Sequence, residues 1–550
     1  MSADSSNVAA DEIFKEFKEH SIAAFFKKNR QMLGYAGKVR SLTMLVHEYV
    51  TNSIDACEEA GILPEISAEI KQTGEDKYSI MVSDNGPGIP KTLAGKALGS
   101  VLSGTKFHRY VQQRGQQGIG ASGCTLFANI TTNKPIHVKS STGRDAFECD
   151  VSIDIKSNKP LVSNVADVPR DFRGLIVEGE FGSVKYENSD HGVYEYLKRT
   201  ALANPHASIT LTDPTGKQYL FPRSDSSMPK KPKAVKPHPM GLESSDLIDF
   251  AHVSASRKVS SFLTESFSRV SHDKVDELKK IATGVDFEKD PKTLTWADAE
   301  ELVKAFSKVK WMAPETDSIS PIGKKQVEAA IKNILNPGFA SVAERKPAVF
   351  RGGIPFVVEA GIAYGNALPQ KQANASAQES TYAGDESFEE RGSGKVLRFA
   401  NKVPLLFDST NCAITYAVRG IDWKRYGISD FDTEPINVMV NVSSVYIPYS
   451  GVGKQAISPE EEIINEIKFA VMEVARELQR YLHGVRNRNM QESKYKTIVR
   501  YISQLSGDLS ELTGVKKELI EKTLRSLIDS KYKSVFEDGD NSEEGNDGHD

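Results

Sequence analysis

In the run MLVHEYVTNSIDACEEAG, Glu48, Asn52 and Asp55 fall at i, i+4 and i+7. On a helix they form one polar stripe opposite Leu45, Val46, Val50 and Ile54. A carboxylate so placed can act as general base toward an attacking water. An amide oxygen one turn later can complete the octahedral shell of Mg2+, which keeps most of its waters. A solvated helix face has the same pattern. The second group is YSIMVSDNGPGIP, where a strand-like run ends at Asp84. An acceptor there can take a hydrogen bond from an exocyclic amine such as that of adenine. Gly86 and Gly88 let the backbone approach a flat ring without a Cβ in the way. A plain Asp-Asn-Gly turn has the same composition. The third group, QQRGQQGIGASGCTLF, sets Gly115, Gly118, Gly120 and Gly123 ahead of an apolar helical pattern. Successive N–H groups at a helix start make a phosphate cradle. GIGASG matches the dinucleotide fingerprint, but the VQQRGQQ before it is no hydrophobic strand, and GVGKQ near 453 lacks two features of a Walker A loop.

The elements that must hold these groups are legible as α+β. Helical patterns over 11–30 and 38–60 mix with the strand-like runs YSIMVSD, PIHVKS, FECDVSIDI, GLIVEGEF and SITLTD. The Pro- and Lys-rich MPKKPKAVKPHPMG cannot continue a helix or a central strand and reads as an extended linker. Residues 243–309 are nearly all helical in pattern. A second mixed region starts near Pro314, contains INVMVNVSSVYIP, and is interrupted by a polar, low-complexity stretch over 370–395. PEEEIINEIKFAVMEVARELQRYL predicts a long amphipathic helix after Ser458, with acids in its first turn.

Composition sets outer limits. A length of 550 residues exceeds one core and predicts several domains. There is no apolar run of about 18 residues and no signal-peptide pattern at the N-terminus. The four cysteines lie far apart with no CxxC pair, which argues against structural zinc and disulfides and predicts a reducing cytoplasm. Residues 537–550 hold seven carboxylates and no Lys or Arg, so a net charge of −4 leaves the rest of the chain at +3. That tail reads as solvated.

Together, in this order, the three groups resemble the ExxxN, DxGxG and glycine-lid boxes of the GHKL ATPases, the superfamily of gyrase B subunits, heat-shock chaperones, histidine kinases and MutL. The resemblance implies a Bergerat α/β sandwich with ATP and Mg2+ as cofactors. It implies Glu48 as general base, Asn52 as magnesium ligand, Asp84 as adenine reader with Gly86 and Gly88 beside it, and Asp55 at the nucleotide. Over most of its length the chain is similar to the topoisomerase VI B-subunit family. The stretches that carry this are SIAAFFKKNRQMLGY, EYVTNSIDACEEAGILPEI, SGTKFHRYVQQRGQQGIGASG, YLKRTALANPHA, RFANKVPLLFD, RGIDWKRYGI and YIPYSGVGKQAI. This likeness implies Thr105 and Lys106 at the nucleotide, and Gly115, Gln116, Gln117, Gly118, Ile119, Gly120 and Ala121 around the phosphates. It also implies Lys424, within DWKRY, as a switch lysine reading the γ-phosphate. Leu175 stands where a Thr is expected, so one polar contact near the nucleotide is expected to be lost or supplied elsewhere.

The implied organisation is an N-terminal strap (1–30), GHKL domain (31–228), linker (229–242), helix-two-turns-helix domain (243–312) and α/β transducer domain (313–457). A long transducer helix (458–485), a helical region (486–535) and an acidic tail (536–550) follow. Expected partners are a topoisomerase VI A subunit in an A2B2 assembly, a second copy of the chain on ATP binding, and double-stranded DNA. Basic side chains at Arg257, Lys258, Arg269, Lys279 and Lys280, and the linker lysines 230, 231, 233 and 236, are candidate phosphate contacts among many acids. A MutL-like DNA clamp shares the nucleotide site but lacks the 243–309 insertion. A histidine kinase would need a phosphoacceptor, for which His20 is the one candidate.

Overall fold

The computed structural model describes residues 35–100, 110–115, 120–154, 157, 159–366, 394–451 and 453–537. The expected strap, Thr105, Lys106, Gln116, Gln117, Gly118, Ile119, and nearly all of the 370–395 stretch and of the acidic tail lie outside them. By packing, the chain forms two compact units. One runs to Ile421 and includes Pro435–Val474; the other is Asp422–Glu434 with the residues from Ala475 on.

The first unit opens with α1 (Lys38–Ala60), stopped by Gly61 in the left-handed region, where the cap N–H groups reach the carbonyls of Cys57 and Glu58. Its strands are β1 (Glu65–Gly74), β2 (Lys77–Asp84), β3 (Ile136–Ser141), β4 (Ala146–Asp154), β5 (Lys159–Asp167), β6 (Gly174–Gly182), β7 (Ser208–Thr212) and β8 (Gln218–Phe221). Among the described residues they make one sheet in the order β5-β4-β3-β6-β2-β1-β7-β8. β1 and β7 are parallel, and the other neighbours are antiparallel. β2 alternates buried and half-exposed residues, so a single face is closed. Helices α1, α2 (Ala94–Gly99), α3 (Gly120–Thr132) and α4 (Val193–Ala203) carry residues of the same core, including Leu45, Val46, Val50, Leu98, Phe127 and Leu197.

After β8 the chain runs without regular structure to the one-turn helix Pro239–Gly241. It is held in place, since Val235 N donates to Tyr110 O at 2.9 Å and Lys231 Nζ to Glu59 O at 2.9 Å. Then come α5 (Ser244–Val253), α6 (Val259–Ser266), α7 (His272–Ile281) and α8 (Trp296–Phe306), which enclose their own core around Phe262, Phe267, Leu278 and Phe306. The all-helical pattern of 243–309 therefore encloses an interior of its own.

A second sheet follows α9 (Lys324–Ala330). It is built from β9 (Pro337–Glu344), β10 (Ala348–Phe350), β11 (Ile354–Asn366), β12 (Lys395–Ala400), β13 (Val403–Pro404) and β14 (Ile436–Ser444). Its order is β10-β11-β14-β12-β13, with β9 also on β11 and with β12 parallel to β14. The short helix α10 (Ala413–Arg419) and the start of α11 (Glu461–Thr513) belong to this unit. Among the described residues, no helix is long and apolar enough to cross a membrane.

In the second unit α11 continues and is followed by α12 (Lys517–Glu537). The helix expected to end near residue 485 runs unbroken to Thr513; residues 486–513 contain no proline, and Gly514 ends it with φ 71°. Tyr495 donates to Asp529 at 2.9 Å and its ring meets Tyr532, which joins the two helices.

Candidate nucleotide site

The polar stripe of α1 separates into three environments. Asn52 is exposed, Glu48 is half-buried and Asp55 is buried. The Glu48 carboxylate packs against the start of α3, where a Cβ on Gly120 would overlap its Oε2 and lie 2.8 Å from its carboxyl carbon. Glycine at 120 therefore leaves the room in which the carboxylate sits beside the first N–H groups of a helix. Beneath it lie Tyr35, Tyr49 and Cys124. Burial first, then Cys124 and Glu48, push the two phenols well above the usual tyrosine range.

Asp84 closes β2 with its carboxylate held on both oxygens. Oδ1 accepts from Gly86 N (2.9 Å) and Leu175 N (3.2 Å), and Oδ2 accepts from the Ser53 hydroxyl at 2.7 Å. Burial raises its pKa, and the three hydrogen bonds oppose that rise. A carboxylate has about four acceptor positions, so these bonds leave room for one more donor. Leu175, standing where a Thr was expected, reaches Asp84 through its main-chain N–H. Gly174, at φ 118°, is required because a Cβ there would overlap the Asp84 carbonyl. Gly88, at φ 70°, would bring a Cβ to 2.5 Å from Ser141 O, and Ile89 N donates to Ser140 Oγ at 2.7 Å. The DNGPG turn is thus fixed on β3.

Asp55, expected at the nucleotide, is bonded to Arg114 within the protein. Arg114 NH1 donates to Asp55 Oδ1 at 2.7 Å and to Glu58 Oε2 at 2.9 Å, while NH2 donates to Glu58 Oε1 and to Asn204 Oδ1, each at 2.6 Å. Arg114 lies next to Gly115, so the residue before the glycine-rich run is anchored on the helix that carries Glu48 and Asn52. Ala121, on the first turn of α3, packs against the core.

Lys424 lies in the second unit on the one-turn helix Trp423–Tyr426, exposed between the buried rings of Trp423 and Tyr426. Those rings do pack: Trp423 meets Phe431 with centroids 5.1 Å apart. Gln479 donates to Arg425 O at 2.9 Å. Among the described residues Lys454, half-buried in the loop between β14 and α11, lies in electrostatic reach of Glu48. Burial lowers its pKa and the Glu48 charge acts against that. His47 is held below its usual range by burial, with Glu48 raising and Lys454 lowering it. The loop is pinned through Gln455, whose carbonyl accepts from the buried Arg398 at 3.3 Å and whose Nε2 lies 3.6 Å from Met44 Sδ on α1. As a nucleotide loop GVGKQ fails on its own sequence. Its usable signal is position: a lysine in a glycine turn joining a sheet to the long helix.

Of the basic residues that were candidate phosphate contacts, Lys258 and Lys279 contact Glu288 (2.8 and 3.7 Å), and Arg269 donates to Ala313 O at 3.1 Å. Arg257 and Lys280 are exposed.

Two family descriptions match the chain. Residues 37–157 match the histidine kinase-, DNA gyrase B- and HSP90-like ATPases, and residues 314–494 match the topoisomerase VI B-subunit transducer. The chain is 43% identical over 568 residues to the type 2 DNA topoisomerase 6 B-subunit of Pyrococcus horikoshii, covering 95% of this chain and 97% of that one. It is 42% identical over 524 residues to the protein of the same name from Methanothermobacter thermautotrophicus, covering 94% and 96%.

Proposed function

This chain belongs to the topoisomerase VI B-subunit family, and from that premise we propose how its residues divide the work of an ATP-dependent type II topoisomerase subunit. ATP lies over the exposed face of α1, with its adenine amine on Asp84 and its phosphates toward the start of α3. Glu48 is the general base. One observation carries this assignment: its carboxylate sits at the helix start that would cradle the phosphates, with the Lys454 cation in reach. Lys454 takes the phosphate-reading role for which the sequence put forward Lys424. Its loop links β14 to α11, so a lysine drawn to a terminal phosphate pulls on the transducer directly.

Mg2+ fits the donors present. Among the described residues no three His, Cys, Asp or Glu converge to hold a metal unaided. The exposed Asn52 amide would hold the ion as sole protein ligand, with phosphates and water filling the shell. There it would neutralise phosphate charge. Glu48 orients the attacking water and accepts its proton, and the first N–H groups of α3 stabilise the charge that develops.

At the level of the assembly, ATP binding brings two copies together. An A subunit cuts one duplex, and hydrolysis resets the gate after a second duplex has passed. The 243–309 helical domain, which a MutL-like clamp lacks, supports this reading. The test mixes the chain with an A subunit from the same source and interlinked DNA circles. Single circles should appear only with both proteins, ATP and magnesium. A Glu48→Ala chain should still dimerise on ATP without turnover. Dimerisation lost along with turnover would remove the division between binding and hydrolysis.

A further inference from the structure

A buried polar node joins the ATPase half of the first unit to the transducer sheet, and the nucleotide chemistry above does not use it. Its centre is Arg114, whose side chain is 6% exposed and whose guanidinium is shared by Asp55, Glu58 and Asn204. Asn204 follows α4 and passes the contact on, since its Nδ2 donates to Lys402 O at 3.1 Å. The two residues before Arg114 reach the transducer as well. Gln112 and Ser320 exchange two hydrogen bonds, at 2.9 and 2.6 Å, and Asn401 Nδ2 donates to Gln113 O at 3.3 Å.

The transducer side is a turn between β12 and β13 in which Asn401 (φ 48°) and Lys402 (φ 68°) both lie in the left-handed region. Two consecutive non-glycine residues there are strained, and such a turn persists only where its surroundings dictate it. Here β14 dictates it. Ser444 N donates to Asn401 Oδ1 at 2.9 Å, and Lys402 N donates to Asn441 Oδ1 at 3.2 Å. Asn441 also donates to the fully buried Glu359 at 2.8 Å, and the Lys402 ammonium reaches Ser320 Oγ at 3.4 Å. β14 is the strand that leads to the Lys454 loop. Buried charge of this density seldom adds stability over an apolar core, but it fixes relative register, because any slip leaves a charge unpaired.

We propose that Arg114 is a positioning residue that, through Asn204 and the Asn401–Lys402 turn, couples nucleotide-driven movement of α1 to the transducer sheet. This rests on α1 carrying the ATP site. The coupling is energetic: the node has one well-bonded arrangement, so a shift of Asp55 and Glu58 on α1 must be followed by the turn or lose charge-assisted bonds.

The test measures hydrogen exchange in the full chain with and without a non-hydrolysable ATP analogue, for wild type, Arg114→Gln, Asn204→Ala and Lys402→Met. In wild type the analogue should slow exchange both in α1 and across 395–404 and 436–444. In each variant the α1 effect should remain, with analogue affinity within about threefold, while the transducer effect falls about tenfold, inside the range seen for coupling residues. The Arg114→Gln/Lys402→Met double variant should be no worse than either single one. Arg114→Lys should restore only part of the coupling, because lysine keeps the charge and lacks the fork. If Arg114→Gln fails to fold, Asn204→Ala carries the test, since it leaves both carboxylates on Arg114. Transducer protection of wild-type size in the folded variants, or losses that add in the double variant, would overturn the proposal. Absence of any analogue effect in wild type would instead overturn the ATP site itself.

Discussion

Replacing Gly120 by alanine should leave the protein as stable as before and nearly inactive. An added Cβ at that position lies 2.8 Å from the Glu48 carboxyl carbon and 3.6 Å from its Cγ, and it overlaps Oε2. Carbon atoms pack at about 3.5 Å or more, so the carboxylate must retreat by at least about 0.7 Å. The obstacle is the tip of a flexible, half-buried side chain, so the retreat costs little folding free energy. The helix gains at most about 1 kcal/mol from losing a glycine, so the melting temperature should be unchanged or slightly higher. Catalysis feels the displacement differently. A base misplaced by about 1 Å loses on the order of 100-fold in rate. The backbone N–H at 120 survives the substitution, so nucleotide affinity should change little. The assay is steady-state ATP hydrolysis beside thermal melting and analogue binding on the same preparation. Expected are an unchanged or slightly higher melting temperature, unchanged affinity and a kcat about 100-fold lower. A variant with wild-type kcat would refute the placement of Glu48 as base. A large fall in melting temperature would refute the claim that the side chain can yield.

Asp84→Asn should weaken nucleotide binding by about 2 kcal/mol, near thirtyfold, because an amide presents hydrogens where the adenine amine needs an acceptor. Folding should hold, since an asparagine oxygen can still take the Gly86 and Leu175 N–H groups; titration with ATP and an inosine analogue checks both strength and selectivity. Gly174→Ala meets main-chain rather than side-chain atoms at φ 118° and should cost about 3 kcal/mol or more, read as a lower melting temperature. Burial pushes the Lys402 ammonium down to about 8, with Glu58, Glu359 and Asp55 favouring its charge and Arg114 opposing it. Its folded-state pKa is depressed, so its contribution is present above the ordinary lysine range and is lost as pH falls through about 8. Between about pH 7.5 and 9.5 the chain should therefore gain about 2 kcal/mol relative to Lys402→Met, measured by chemical denaturation at both values. A constant difference would show that Lys402 titrates normally.

The motifs that carry the proposed ATP site were legible because they depend on local spacing. Glu48 and Asn52 are one helical turn apart, Asp84 ends an alternating strand, and Gly86 and Gly88 stand in the turn that follows it. Each of these relations is set by backbone geometry within a few residues. The all-helical nature of 243–309 and the helix after Ser458 followed from periodicity in the same way. Contacts across long sequence separations were not legible. Asp55 shares a face with Glu48 and Asn52, yet it is claimed by Arg114, 59 residues away. Leu175 supplies Asp84 through a main-chain N–H that no side-chain motif encodes. The proposed reassignment from Lys424 to Lys454 is of the same kind. Both are lysines in short turns of one region, and only tertiary packing, with Gln455 held by Arg398 and set against Met44, brings Lys454 within reach of Glu48. Periodicity determines which face a residue occupies; which distant residue meets that face is decided when the sheets pack.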